Sequence, residues 1–269
     1  MSRAPLRWLD EGAADGRWNM AVDETLLLAL EEDGAPTLRL YAWRGPWLSL
    51  GHAQALDPLR EAACRDVGVG IVRRPTGGSA VLHGADLTYA LVAPESAVPA
   101  GLEASYAWVG RVLREALDRV GVVADPPAGR SAGRREQPFD CFARVGIEEI
   151  TVAGRKLVGS AQRRIRGRIL QHGSIRLGPD PPPAAAAAGR LAGVATSLAE
   201  LGFEPPENRL RDACVQAFAA AFDLPIDRSS LTEPERARAA ERARGPAGNP
   251  RVGRRDPGAG ASRPPSAGR

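Results

Sequence analysis

Between residues 37 and 93 the chain carries five apolar runs of only four to seven residues, each closed by glycine, proline or a short polar break. Runs this short do not supply a helix with a core face. Residues 37–43, 47–50, 70–73, 79–82 and 87–93 therefore read as strands. Helical patterns surround them. Asp15 is placed to cap a helix reaching about residue 32, with Trp18, Ala21, Val22, Leu26 and Ala29 on one face and Gly34 beyond its end. Residues 58–66 form a second helix, with Cys64 in its apolar part; a third runs over 102–120 and stops at Gly121. A last amphipathic helix spans 208–222, with Cys214 one turn before Phe218. Residues 148–152 and 156–160 read as strands folded about Ala153-Gly154, and 169–177 as another. The Pro- and Gly-rich segment 124–138 is expected to be a surface loop, and 181–188 is a Pro/Ala run with no element assigned. Without internal repeats or regular β-α-β winding, this mixture predicts an α+β domain with mixed or antiparallel sheets flanked by helices.

A chain of 269 residues can bury one substantial core. Residues 1–225 are assigned to a single folded domain and 226–269 to a disordered Arg/Pro/Gly-rich tail. Charge supports this division. From Gly245 onward five arginines face one aspartate, which accounts for the whole formal charge of +4 and leaves the remainder neutral. A solvated tail is therefore expected rather than a nucleic-acid arm. No apolar run approaches the roughly 20 residues that span a bilayer, and the N-terminus lacks a signal-peptide stretch, so no membrane contact and a cytoplasmic location are expected. Three widely spaced cysteines make neither a disulfide framework nor a zinc pattern, so at least one is a free thiol. Cys64 and Cys214 read as core packing, whereas Cys141 lies in neither apolar helix.

Of the 36 basic residues, Lys156 is the only lysine. It is either a survivor of a strong arginine bias or a position where guanidinium cannot serve. An ε-ammonium is a compact charge with three donors that can approach a small anion closely, and it lowers the pKa of a neighbouring thiol. Cys141, fifteen positions upstream, is the candidate partner. A second feature is the loop within RRPTGGSAVLHG, where paired glycines lie between two of these strands close to two arginines and a histidine. Its spacing excludes the Walker and Rossmann nucleotide fingerprints. The loop alone leaves open a plain Gly-Gly turn or a ligand cradle of backbone N–H groups.

Taken in order, RRPTGGSAVLH (73–83), GRKLVGSAQ (154–162) and LQHGSI (170–175) resemble the lipoate–protein ligase and octanoyltransferase family. MAVDE (20–24) and LYAWRGPWLSLGHAQ (starting at Leu40) are similar to it as well. The resemblance implies a catalytic domain like that of biotin protein ligases, attaching medium-chain or lipoyl groups to a lysine of a small acceptor domain. Cys141-Phe142 ahead of the Gly-Arg-Lys turn resembles the LipM-type branch, which implies an acyl-thioester on Cys141 and Lys156 as the residue that lowers its pKa. It further implies that Arg73, Arg74, Gly77, Gly78, His83, Gly159, Ser160, Ala161 and His172 line the acyl tunnel or its mouth. His52 is expected to be a core imidazole. The implied donor is octanoyl-acyl carrier protein, and the implied acceptor is a lipoyl-accepting protein such as the glycine cleavage H protein. A monomer needing neither cofactor nor metal is expected. The alternative is an ATP-dependent lipoate–protein ligase.

Overall fold

The structure is a computed structural model describing residues 4–127, 149–189, 193–204 and 207–245. Its larger sheet has seven strands: β1 (Leu6–Ala14), β2 (Thr37–Trp43), β6 (Asp86–Pro94), β7 (Ile150–Val152), β8 (Arg155–Ile165), β9 (Arg168–Arg176) and β10 (Ile226–Ser229). They lie in the order β10, β1, β2, β6, β9, β8, β7. β1 runs parallel to both neighbours, and the remaining pairs are antiparallel. A smaller sheet sets β3 (Trp47–Leu50) between β4 (Gly70–Arg73), parallel, and β5 (Val81–His83), antiparallel.

Helices cover both faces of the large sheet, which is why β6 is buried along its whole length and reads as an unbroken apolar run from Tyr89 onward. Leu87, Tyr89 and Leu91 point into one core with Val109 and Leu113 of α3 (Leu102–Asp118) and Phe218 of α5 (Glu207–Phe222). Ala90 and Val92 point the other way, toward Val22 and Leu26 of α1 (Gly16–Ala29). α1 begins where expected, with the Asp15 side chain accepting from Arg17 N at 2.8 Å. It buries a more polar face than its apolar pattern predicts: Asn19 and Asp23 are fully buried, whereas Trp18 and Ala29 are only half-buried. α2 (Pro58–Asp66) and α4 (Pro182–Ala188) pack Cys64, Ala184 and Ala188 against Leu48 and Leu82 of the small sheet. The Pro/Ala run is thus a helix, entered through proline and stopped by Gly189 at φ 69°.

Three elements are absent from the sequence reading: β1, β10 and α6 (Glu233–Arg244). The last two contradict a disordered tail starting at residue 226. β10 extends the sheet in register with Leu6–Leu9 of β1. α6 opens on a capping box between Thr232 and Glu235 with Pro234 in its first turn. It packs on α1 and buries Ala239 completely, and Glu235 closes an ion pair with Arg7 at 2.6 Å. A helix that buries little besides alanine has no apolar stripe to betray it. The strand expected at 79–82 is displaced to Val81–His83, because the carbonyl of Ser79 is held in the preceding loop by Arg74. Residues 246–269 lie outside the described residues, as do 128–148, including Cys141 and Phe142. Among the described residues no helix is long and apolar enough to cross a membrane, and no cluster of His, Cys, Asp and Glu could hold a metal ion.

Candidate active site

The β7–β8 hairpin sets the position of Lys156. Ala153 and Gly154 take positive φ values of 51° and 72° at its tip, as a tight antiparallel turn requires. The Asp125 carboxylate clamps that tip, accepting from Gly154 N at 2.8 Å and Ala153 N at 3.1 Å. The Gly154 N–H is the leading reason its pKa lies below the ordinary carboxylate range. Lys156 follows at the start of β8, and its backbone is held from the 193–204 segment, with its N–H on Val194 O at 3.0 Å and its carbonyl accepting from Thr196 N at 2.9 Å. The side chain is completely buried, with Nζ in ion-pair contact with Glu149.

The paired-glycine loop is built by arginines rather than around them. Arg74 is 4% exposed; its guanidinium donates to the carbonyls of Ser49, Gly77 and Ser79 and to Thr76 Oγ1. Arg73 performs a similar task next door, with Nη1 donating to the carbonyls of Gly51, His52 and Gln54. Gly78 has φ 88°, and a Cβ on Gly51 would lie 1.9 Å from Gly78 O, so glycine is required on both sides of this close approach.

Two buried histidines brace a cleft between the sheets. His172 sets Nδ1 2.8 Å from Asp23 Oδ2 and Nε2 2.7 Å from Thr76 Oγ1. His83 sets Nδ1 2.9 Å from Asp86 Oδ2 and Nε2 2.9 Å from Ser49 Oγ, and stacks on Trp43 with ring centroids 3.9 Å apart. Facing an ionised carboxylate, each Nδ1 carries the proton. Burial alone would raise the Asp86 carboxyl; His83, Gly84 N–H and the Ser174 hydroxyl reverse this and hold it below its ordinary range. Burial likewise opposes the charge on Asp23, but Arg39 at 2.7 Å, His172 and Tyr41 outweigh it and hold that carboxyl low too. With both nitrogens of each ring engaged, the histidines act as braced walls and not as bases aimed into the cleft.

The cleft is lined by Met20, Tyr41 and Val81, by 159–161 of β8, and by 172–174 of β9, with Arg74 and His83. Its hydroxyls are spent within the protein: Ser160 meets Tyr89 at 2.7 Å, Thr88 accepts from Trp43 at 2.8 Å, and Ser174 donates to Asp86 at 2.7 Å. What remains suits an alkyl chain. Gly173 keeps the floor open, since a Cβ there would lie within 2.7 Å of Gly159 O, Ser160 Oγ and Tyr89.

Six sequence-selected positions meet at this cleft: Arg74, His83, Gly159, Ser160, Ala161 and His172. Arg73 instead lines a neighbouring cavity that shares Met20 and Arg74 with the cleft, and Gly77 and Gly78 form the adjoining loop without lining either space. His52 lines that second cavity and is exposed, not a core imidazole, because the 51–54 turn projects it outward. Sequence reasoning missed Asp23, Asp86 and Glu149, the carboxylates that hold His172, His83 and Lys156. Only Asp86 had a local signal, three residues from its histidine. Cys64 and Cys214 are fully buried as expected, and burial raises both thiols, Cys214 to about 12. Neither is a nucleophile at neutral pH.

A profile of the lipoyl protein ligase A/B catalytic domain matches residues 15–219. Octanoyltransferase LipM of Symbiobacterium thermophilum is 38% identical over 248 residues, covering 85% of this chain and 90% of that protein. Octanoyltransferase LipM of Moorella thermoacetica is 39% identical over 253 residues, covering 87% and 93%. Among solved structures, lipoate-protein ligase A bound with ATP is similar at a TM-score of 0.74 and 19% identity, covering 89% of this chain and 94% of that one. A bipartite lipoate protein ligase from Thermoplasma acidophilum follows at a TM-score of 0.68 and 18% identity, covering 89% and 91%. At such identities the structural likeness concerns the fold, an α+β architecture with mixed sheets flanked by helices.

Proposed function

The chain belongs to the lipoyl protein ligase A/B catalytic domain family, and from that premise we propose that it is an octanoyltransferase of lipoate biosynthesis, working in the cytoplasm. The observation that carries this reading is the only lysine of the chain, fully buried at the head of the strand whose residues 159–161 wall an apolar cleft. An octanoyl chain brings six methylenes and a methyl, worth about 6 kcal/mol at ~0.8 kcal/mol per buried group. The similarity to LipM octanoyltransferases over most of both chains favours octanoyl transfer over ATP-dependent ligation.

In the proposed reaction the Cys141 thiolate attacks the thioester carbonyl of octanoyl-acyl carrier protein. A carbon–sulfur bond to Cys141 forms as the bond to the carrier thiol breaks, and the departing thiolate takes up a proton. The amine of a lysine on a lipoyl-accepting domain, such as the glycine cleavage H protein, then attacks. The amide forms, Cys141 leaves as thiolate, and the amine gives up its proton. Thioester exchange is nearly balanced and amide formation is downhill, so the sequence needs neither ATP nor a metal. Lys156 supplies the positive charge that favours the thiolate.

Intact mass spectrometry with octanoyl-acyl carrier protein tests this. A single hydroxylamine-labile octanoyl adduct is expected on the native protein and none on Cys141→Ala, and with one lysine in the chain an adduct at a side-chain amine can only be on Lys156. Lys156→Arg is expected to lose most of the activity despite keeping the charge. An adduct that survives Cys141→Ala, or transfer that requires ATP, would refute the thioester route and favour a ligase.

A further inference from the structure

We propose that Glu149 is the positioning residue of Lys156: its carboxylate is the counter-ion that fixes the ammonium of the only lysine of the chain at the head of β8, the strand that walls the acyl cleft. The proposal rests on the acyl-transfer reading above and adds a residue to it.

Glu149 stands immediately before β7, and the Ala153-Gly154 turn folds that strand back on β8 so that Thr151 pairs with Lys156 and Ile150 with Val158. The register slips between Ile150 and Thr151, which is where the chain leads into Glu149. The described residues flanking this hairpin are tied down. Asp125 clamps the turn, Asp125 N donates to Thr151 O at 2.8 Å, and Arg114 donates to the backbone carbonyls of both Asp125 and Glu149. On the other side of Lys156, Val194 and Thr196 fix its backbone. The strand can therefore deliver the Lys156 stem to one place.

Chemistry then makes a partner necessary. The Lys156 side chain has no exposure and that of Glu149 has 12%. An ammonium taken fully out of water without a counter-ion costs several kcal/mol, and such a lysine sheds its proton or turns outward to solvent. Either outcome removes the cation that the transfer reaction uses. A carboxylate in contact removes both, and three donors on Nζ leave the ammonium able to hold Glu149 while still facing a second anionic group.

The chain itself provides the readout, because selective labelling with ¹³C,¹⁵N-lysine yields one lysine spin system for the whole protein. In the native protein its Cε–Hε correlation is expected away from the position of solvated lysine. Glu149→Gln, nearly isosteric but uncharged, is expected to move that correlation and to lower kcat about 10- to 100-fold, the scale of a misplaced catalytic group. KM for octanoyl-acyl carrier protein should change less than threefold. Glu149→Asp, which keeps the charge one methylene further back, should fall between the two on both measures. An unmoved lysine correlation in Glu149→Gln overturns the proposal whatever happens to the rate, and so does a moved correlation with native kcat. If Glu149→Gln fails to fold, Glu149→Asp decides: native values on both measures overturn the proposal. Were the native protein to show no octanoyl transfer, the functional reading would fail while the lysine correlation still tested the ion pair.

Discussion

Replacing Asp23 by asparagine tests the deepest electrostatic feature of the fold. Asp23 and Arg39 are both fully buried and meet at 2.7 Å, with Tyr41 OH 2.9 Å and His172 Nδ1 2.8 Å from the second carboxylate oxygen. Arg39 also donates to Glu11, Asn19 O and Asn19 Oδ1. Asparagine keeps the shape but leaves the guanidinium with Glu11 as its remaining carboxylate, and it offers His172 a neutral acceptor. Removing one partner of a buried pair costs about 3–5 kcal/mol. In a domain of this size that corresponds to a fall in Tm of roughly 6–20 °C. The pH dependence has a defined sign. Burial pushes the Asp23 carboxyl up, but Arg39 with His172 and Tyr41 brings it below its ordinary value in the folded protein. Its contribution is thus fully present above the unfolded value of about 3.9 and is lost as pH falls through the lower folded value. Urea unfolding of both proteins at pH 7 should show the full difference. Below about pH 4 the gap should narrow, by up to ~1.4 kcal/mol per pH unit. A variant within 1 kcal/mol of wild type at pH 7, or a gap that widens in acid, would refute the assignment.

Other outcomes follow from the cleft and the thiols. Gly173→Ala places a methyl within 2.7 Å of atoms on both adjacent strands, so a loss of about 1–3 kcal/mol in chemical denaturation is expected, with octanoyl uptake reduced further than stability alone explains. Native-state titration with a thiol reagent should leave Cys64 and Cys214 unmodified, and peptide mapping that finds either one labelled before unfolding would contradict their complete burial. Thr232→Ala removes one half of the capping box that starts α6, which should cost ~1 kcal/mol. The loss should appear as faster amide exchange in α6 and in the face of α1 beneath it.

The sequence by itself determined the elements whose signals are local. Strands at Thr37–Trp43, Trp47–Leu50 and Gly70–Arg73 and the helix at Pro58–Asp66 stand at the expected residues, because alternation, a capping aspartate and a following proline act within a few positions. The Ala153-Gly154 turn is of the same kind, and the singularity of Lys156 needs no structure at all. β1 escaped because Leu6 and Leu9 are its buried leucines and its stability comes from parallel ladders to residues far along the chain. β10 and α6 escaped because a short strand and a helix packed through alanine look like solvated chain until their partners are known. Burial of the carboxylates was likewise a tertiary decision. Asp23 lies 149 residues from His172 and sits on a helix where it reads as a surface charge. Only folding of β9 and β2 against α1 places it beneath an imidazole and a guanidinium, and a charge out of water has to find such partners wherever in the sequence they lie.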